Sequence, residues 1–377
     1  MPPSTVPSLV THFLDVTDPR DGPALVHPLV NIIAIAICGV ICGADGWTEV
    51  EEFGHAKYDW LKRFLDLTHG IPSHDTFGRV FGRLDAQQFE EVFMSWVQAV
   101  AEKTQGQVIA IDGKTVRRSH DQHLGKKAVH MVSAWASANR LVLGQVKVDE
   151  KSNEITAIPA LLRLLDLSGC IVTIDAMGCQ KEIAAQVVGQ GGDYVLAVKD
   201  NQPQLAQKIE KLFVHGQMPL SDLPADDVKR TEKDHGRLET RSCQVLDVRE
   251  WLFYLDTQRE WAGLRSIVRV TAQRQIREQR SEETRYFISS LPCDAPRLLQ
   301  SVRDHWGVEN GLHWVLDVAF QEDASRIRKD NAAENFSRLR RLALNLLRNE
   351  KTAKVGIKAK RRMAGWDEKY LIKLLSV

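Results

Sequence analysis

The sequence has no apolar run long enough to cross a bilayer. Its longest, LVNIIAIAICGVICGA at 29–44, holds 16 residues with Asn31 and two glycines inside it; a helical span needs roughly 20, so a buried helix is expected. Six cysteines, at 38, 42, 170, 179, 243 and 293, form no CxxC pair and have no partnering HxxxH. A structural zinc site and a disulfide framework are therefore not indicated, and reduced thiols of a cytoplasmic protein are expected. The start, MPPSTVPSLVTHF, lacks the basic stretch and continuous apolar core of a secretion signal. Excess charge is missing too: 50 Lys and Arg against 49 Asp and Glu leave +1, so a polyanion would have to be met by local basic surface. No internal repeat is visible.

What is present is an ordinary globular composition, 44% hydrophobic and 26% charged over 377 residues, enough for two or three packed units. Residues 1–105 show helical spacing in 29–44, 47–65 and 86–103, with GIPSHDTFGRVFGRLD (70–85) as a loop turning into a helix start at Ser73. From 107 the pattern becomes short strands: QVIAID, HMVSAWAS (130–137) and LVLGQVKVD (141–149), the last two joined by Ala138, Asn139 and Arg140. A helix over 154–167, a strand CIVTIDA (170–176), a helix from Gln180 and a strand YVLAVK (194–199) follow. The order βββαβαβ predicts a mixed sheet with helices on its faces, an α/β core of the ribonuclease H-like kind. Residues 201–283 read as a β-rich insertion with strand candidates SCQVLDV (242–248), WLFYLD (251–256) and SIVRVTAQ (266–273). The core resumes over 284–350, where TRYFISSL can return to the sheet and 296–320 forms a long amphipathic helix, and 351–377 is a basic C-terminal tail.

The segment VIAIDGKTVRRS (108–119) carries the chemical signal. A buried strand delivers Asp112 to its end, and Lys114, Arg117, Arg118, His120, Lys126 and Lys127 follow. Asp175 ends a second fully apolar strand in the same way. With those two strands side by side, both carboxylates project from one sheet edge, where mutual repulsion raises the pKa of one unless a cation such as Mg²⁺ is shared. The long helix offers a third acid among Glu309, Asp317, Glu322 and Asp323. Glu309 is preferred because it lies within an apolar stretch, where an unpaired charge is costly; Asp317, between Leu316 and Val318, is the alternative third ligand. Three acids holding two cations activate an attacking oxygen and steady a leaving oxygen in phosphodiester chemistry, and the basic residues after Asp112 would neutralise the approaching phosphates. GKT at 113–115 looks like the end of a P-loop, but the glycine that motif requires five residues earlier is Val108.

At these residues the sequence closely resembles the DDE transposases of bacterial insertion sequences, in the branch of the H-repeat-associated proteins. The matching blocks are GIPSHDTFGRVF, VIAIDGKTVRRS, DEKSNEITAIPALL, TIDAMGCQKEIA, GGDYVLAVK, HGRLETR, HWGVENGLHWVLDVAF and NAAENFSRLRRLALNLL. The resemblance implies Asp112, Asp175 and Glu309 as the acidic triad, two Mg²⁺ ions with Mn²⁺ as a substitute, and DNA as partner. That DNA comprises terminal inverted repeats and target DNA, handled by a homodimer with no membrane involved. In the broader class a tyrosine, arginine and lysine flank the glutamate; here those places hold Val302, His305 and Leu316, which assigns His305 the phosphate-facing role. The loop after the fifth strand reads KDNQ, with Asp200 where glycine is expected, and offers Lys199 and Asn201 as DNA contacts. His235, Arg237 and Arg241 in the insertion are further contacts. Across 338–362, ten Lys or Arg face a single acid, Glu350, a candidate DNA path. Trp251 and Trp261 are candidates for stacking on an unpaired base, and the N-terminal helices for recognition of the element's ends. The alternatives are a nuclease that cleaves without joining and an inactive DNA-binding remnant.

Overall fold

The four apolar residues that lead into Asp112 are buried on both faces of a strand, and the rest of the molecule is laid around them. The structure, a computed structural model, describes residues 8–22, 25–100, 106–120, 125–149, 153–214, 224–234, 237–256 and 259–376. Its longer helices before the sheet are α1 (Leu29–Cys42), α2 (Trp47–Ala56), α3 (His74–Arg83) and α4 (Ala86–Val100), with short helical turns at Ser8–His12 and Tyr58–Leu61. In α1 the residues from Asn31 to Ile41 are all buried, as its all-round apolarity requires. Ser73 caps α3 by accepting from the Thr76 N–H.

The first sheet strands are β1 (Val108–Thr115), β2 (His130–Ala136), β3 (Leu141–Lys147), β4 (Ile171–Ile174) and β5 (Asp193–Val198), with α5 (Glu154–Arg163) and α6 (Lys181–Gly189) between the later ones. The insertion contributes α7 (Pro203–Val214), β6 (Ala225–Asp234), β7 (Arg237–Asp247), β8 (Ser266–Ile276) and β9 (Gln279–Ser289). All nine strands form one sheet in the order β3-β2-β1-β4-β5-β9-β8-β7-β6. Its first five strands have the antiparallel and parallel pairings expected of a ribonuclease H-like core: β1 is antiparallel to β2 and parallel to β4, and β4 is parallel to β5. TRYFISSL does return to that core, because β9 pairs antiparallel with β5 from Val195↔Ser289 to Val198↔Tyr286.

The chain then enters α8 (Ala295–Val308), a π-helical turn (Glu309–His313) and α9 (Trp314–Phe320), one continuous rod across β1, β4, β5, β6 and β7. Three further helices follow, α10 (Ala332–Asn349), α11 (Ile357–Trp366) and α12 (Glu368–Leu375). α10 packs on α1, α3, α4 and β3. The N-terminal helices, the sheet and α10 to α12 share one apolar core. No single helix among the described residues is long and apolar enough to cross a membrane.

Two expectations fail here. WLFYLD is not a strand: Leu252–Leu255 is a helical turn, and the Asp256 carboxylate accepts from the Glu260 and Trp261 N–H groups at 2.8 Å to close a loop behind it. An apolar run this short carries no period that separates strand from helix. The segment 351–377, expected only to be a basic tail, forms α11 and α12, and Leu371, Leu374 and Leu375 are fully buried. The six cysteines form no disulfide; four are buried and two half-buried.

Candidate active site

Strand register sets the two aspartates. Ala110 pairs with Thr173 and Ile111 with Ile174 across β1 and β4, so Asp112 and Asp175 are neighbours across parallel strands; the expectation that Asp112 ends its strand fails, because β1 runs on to Thr115 in register with β2. Alternation puts Asp112 and Asp175 on the face of Ala110 and Thr173. That face is covered by α8, because the Thr173 hydroxyl bonds His305 of α8 at 3.1 Å. Asp112 accepts from its neighbour's N–H (Gly113, 2.9 Å), and Asp175 accepts from Met177 and Gly178 (3.1 and 3.4 Å). Asn201 donates to the Ala176 and Cys179 carbonyls, bracing the turn that follows Asp175.

Glu309 begins the π turn, in which the Trp314 N–H reaches back five residues to the Glu309 carbonyl. Such turns occur disproportionately at functional sites. Donor atoms of Asp112, Glu309 and His313 lie within 4.8 Å of one another. His313 Nδ1 is 3.2 Å from Glu309 Oε2 and 3.5 Å from Asp112 Oδ2. The ground on which sequence prefers Glu309 fails: its side chain is 63% exposed, so no desolvation cost singles it out. Asp317 is turned away, its carboxylate 2.9 Å from Lys114 Nζ, which leaves it engaged elsewhere as an alternative ligand.

The electrostatics fit a cation. Burial pushes Asp112 up to about 7, opposed by the Gly113 N–H and reinforced by Glu154, Asp175 and Glu309. Burial and Glu154 also raise Asp175, against the N–H groups of Gly178 and Met177. Two carboxyls raised by burial and by neighbouring acids are suited to a hard divalent cation, which favours their ionised form. Glu154 is a fourth acid that the sequence reading missed. Its Oε1 is 2.6 Å from His130 Nε2, and His130 Nδ1 is 2.7 Å from the Thr115 hydroxyl. Gly113 makes room for this pair, since a Cβ there would overlap both Glu154 and His130. His313 was also passed over; its spacing of four from Glu309 on one helix was the available signal.

The basic candidates divide. Lys114, only 9% exposed, bridges Asp317 and Asp323 at 2.9 and 3.1 Å, so it is an internal ion pair and does not face solvent. Lys126 donates to the Arg328 and Asp330 carbonyls. Arg117 is 79% exposed with Nε 3.2 Å from Asp323, and Arg118 and Lys199 are exposed. His305 is buried in the interior, where burial lowers its pKa to about 4; a neutral ring under α8 is not placed to meet a phosphate. Of the ten basic residues between 338 and 362, Arg338, Arg340, Arg341, Lys360 and Arg361 are buried. Arg338 pairs with Glu90 and Glu334, Arg341 with Glu322, Arg361 with Asp45 and Lys360 with Glu350. Trp261 is core at 6% exposure, and Trp251 stacks on Phe253 at 5.8 Å. His235 lies outside the described residues.

A groove of about 770 Å³ remains between the insertion and the rod, lined by Arg237, Arg241, Arg274, Arg285, Arg303 and Asn310. Arg241 there pairs with Glu239 at 2.7 Å, and Arg237 lies 3.4 Å from the same acid. Trp306, 46% exposed, stands in it with the Arg285 guanidinium 4.2 Å from its ring centre. A second groove of about 800 Å³, which shares Arg303, Gly307 and Asn310 with the first, carries Arg140, Lys351, Lys354 and Lys358.

A family model described as Transposase DDE domain matches residues 103–346, and one described as DDE_Tnp_1-associated matches 10–97. The chain is 44% identical over 375 residues to the "Putative transposase YncI" of Escherichia coli O157:H7, covering 99% of this chain and 95% of that one. It is 43% identical to the "H repeat-associated putative transposase YhhI" of Escherichia coli (strain K12), covering 98% and 97%. Among solved structures, a piggyBac transposase synaptic complex with hairpin DNA aligns at 12% identity and a TM-score of 0.43, covering 94% of this chain and 74% of that one.

Proposed function

The chain belongs to the transposase DDE domain family, and from that premise we propose that it cuts phosphodiester bonds at the ends of an insertion sequence and joins the freed 3′-hydroxyls to target DNA at Asp112, Asp175 and Glu309. The family implies use of a divalent metal. Mg²⁺, two ions of it with Mn²⁺ as a substitute, is the cofactor this reading assigns to the three acids. Held by these acids, such ions would supply Lewis acidity for phosphodiester chemistry. The protein's own part is to hold the acids in place and to meet the DNA backbone with cations.

What supports the reading is the β1–β4 register that sets Asp112 beside Asp175, together with the donor atoms of Glu309 and His313 close to Asp112; Asp175 is not part of that close group. Arg117, Arg118 and Lys199 at the strand ends, and Arg237 and Arg241 in the insertion groove, would meet phosphates. A homodimer on DNA, one protomer per element end, and a cytoplasmic location complete the proposal. DNA carrying the terminal inverted repeats, incubated with protein and Mg²⁺ and then with chelator, tests it. Cleavage that needs the metal and disappears in Asp112→Asn with DNA binding retained is expected. Unchanged cleavage in that variant overturns the site. Cleaved but never joined products, with target DNA present, would favour a nuclease.

A further inference from the structure

We propose that His313 is a ligand in the metal site, its Nδ1 joining one carboxylate oxygen from Asp112 and one from Glu309, so that the site favours Mn²⁺ over Mg²⁺. This rests on the metal-site reading above and adds to it a nitrogen donor that a triad of acids does not have.

The geometry is that of donors gathered round one point. Nδ1 stands 3.2 Å from Glu309, a hydrogen-bond distance, and 3.5 Å from Asp112, and donor atoms of all three residues lie within 4.8 Å of one another. Neighbouring donors on an ion with bonds of about 2.1 Å sit roughly 3 Å apart, a spacing that both contacts approach. A metal at Nδ1 would displace the proton that the Glu309 carboxylate favours there and put it on Nε2, which is buried and has no hydrogen-bond partner among the described residues.

The ring has no freedom to leave. His313 is 6% exposed, and the π turn carries it and Glu309 as a unit. The turn is clamped from outside by Arg348, which donates to the Gly311 and Arg140 carbonyls and stacks 4.4 Å from the Trp135 ring centre. Two carboxylates and one imidazole make a set that suits Mn²⁺, since imidazole ligands are taken by transition metals and seldom by Mg²⁺, which keeps to oxygen.

The test uses the full chain and the metal alone. Mn²⁺ bound to protein labelled with ¹⁵N-histidine is examined by pulsed electron paramagnetic resonance, and Mn²⁺ and Mg²⁺ affinities are measured by calorimetry for wild type, His313→Leu and His313→Gln. An imidazole nitrogen coupling in the wild type is expected. Both variants should lose it and bind Mn²⁺ about 10–100-fold more weakly while Mg²⁺ affinity changes much less. Absence of nitrogen coupling in the wild type, with metal bound, overturns the inference whether or not the variants fold. Asp112→Asn separates the two claims. If it abolishes ion binding while the wild type lacks the coupling, the acidic site stands and the histidine ligand falls; if it leaves ion binding intact, the site itself is wrong.

Discussion

Lys114 is where a sequence reading and the structure part most sharply, and the difference can be measured. Sequence places it among the DNA contacts, but its ammonium lies between Asp317 at 2.9 Å and Asp323 at 3.1 Å and is 9% exposed. At an effective dielectric of about 20, each contact is worth roughly 5–6 kcal/mol of gross attraction, and desolvation of the lysine returns much of it. The two carboxylates keep 33% and 24% exposure, so breaking the bridge costs less than the 3–5 kcal/mol of a fully buried pair; about 2–3 kcal/mol is expected for Lys114→Met. Because Lys114 sits two residues after Asp112 and Asp317 eight after Glu309, the bridge also ties the strand bearing one acid to the rod bearing the other. The variant should therefore bind metal more weakly. Urea unfolding read by linear extrapolation gives the stability term, and DNA affinity against salt gives the other. Loss of a phosphate contact lowers the salt slope by about 0.9; Lys114→Met should leave that slope alone, and exposed Arg118→Ala should lower it. A slope reduced by about 0.9 in Lys114→Met, with stability unchanged, would refute the reasoning.

Glu322→Gln should cost about 3–5 kcal/mol near neutral pH, because it leaves Arg341 buried with its ion partner gone. Burial alone would raise the Glu322 carboxyl, but Arg341 and Arg340 hold it below the usual range. Its stabilising contribution is thus present above about pH 4.3 and is lost as pH falls through the lower folded value, and the variant should lack that part of the acid limb in unfolding curves from pH 7 to 3; parallel curves would count against it. Gly113→Ala should cost about 1–3 kcal/mol and most of the cleavage, since its Cβ overlaps Glu154 and His130. Adding Glu154→Ala should restore much of the stability, and no recovery in thermal melts would show that the overlap is not the cause. Arg348→Ala releases the clamp on the π turn and should slow cleavage about tenfold, close to 1.4 kcal/mol in the barrier, with DNA affinity held. A variant altered only in DNA affinity and salt slope would make Arg348 a phosphate contact.

The two aspartates were legible because each ends a run that is apolar on both faces, and a single charge at the end of such a strand stands out against its neighbours. Their adjacency followed from strand order, which the alternation of strands and helices supplied. Glu309 was reached by a desolvation argument that its 63% exposure removes; what brings it to Asp112 is a π turn, and nothing in the residue pattern of the helix announces one. His313 was visible as a spacing of four yet drew no notice, since a histidine between Leu312 and Trp314 reads as core, and it is indeed core at 6% exposure.

The arginines show the opposite failure. In sequence, 338–362 looks like a cationic path because, apart from Glu334 and Glu350, the acids that neutralise it lie well outside the segment: Glu90 for Arg338, Asp45 for Arg361 and Glu322 for Arg341. Local charge counting cannot see partners of that separation. Burying these pairs costs desolvation that apolar side chains would avoid. In return, Arg338 and Arg361 join the C-terminal helices to the N-terminal ones by directional contacts, and Arg341 ties α10 to the segment just after α9. The basic surface left for nucleic acid is then smaller and more definite than composition suggests. It consists of the exposed residues after β1, the insertion groove and the lysines of 351–358, and the last two adjoin along the rod at Arg303, Gly307 and Asn310.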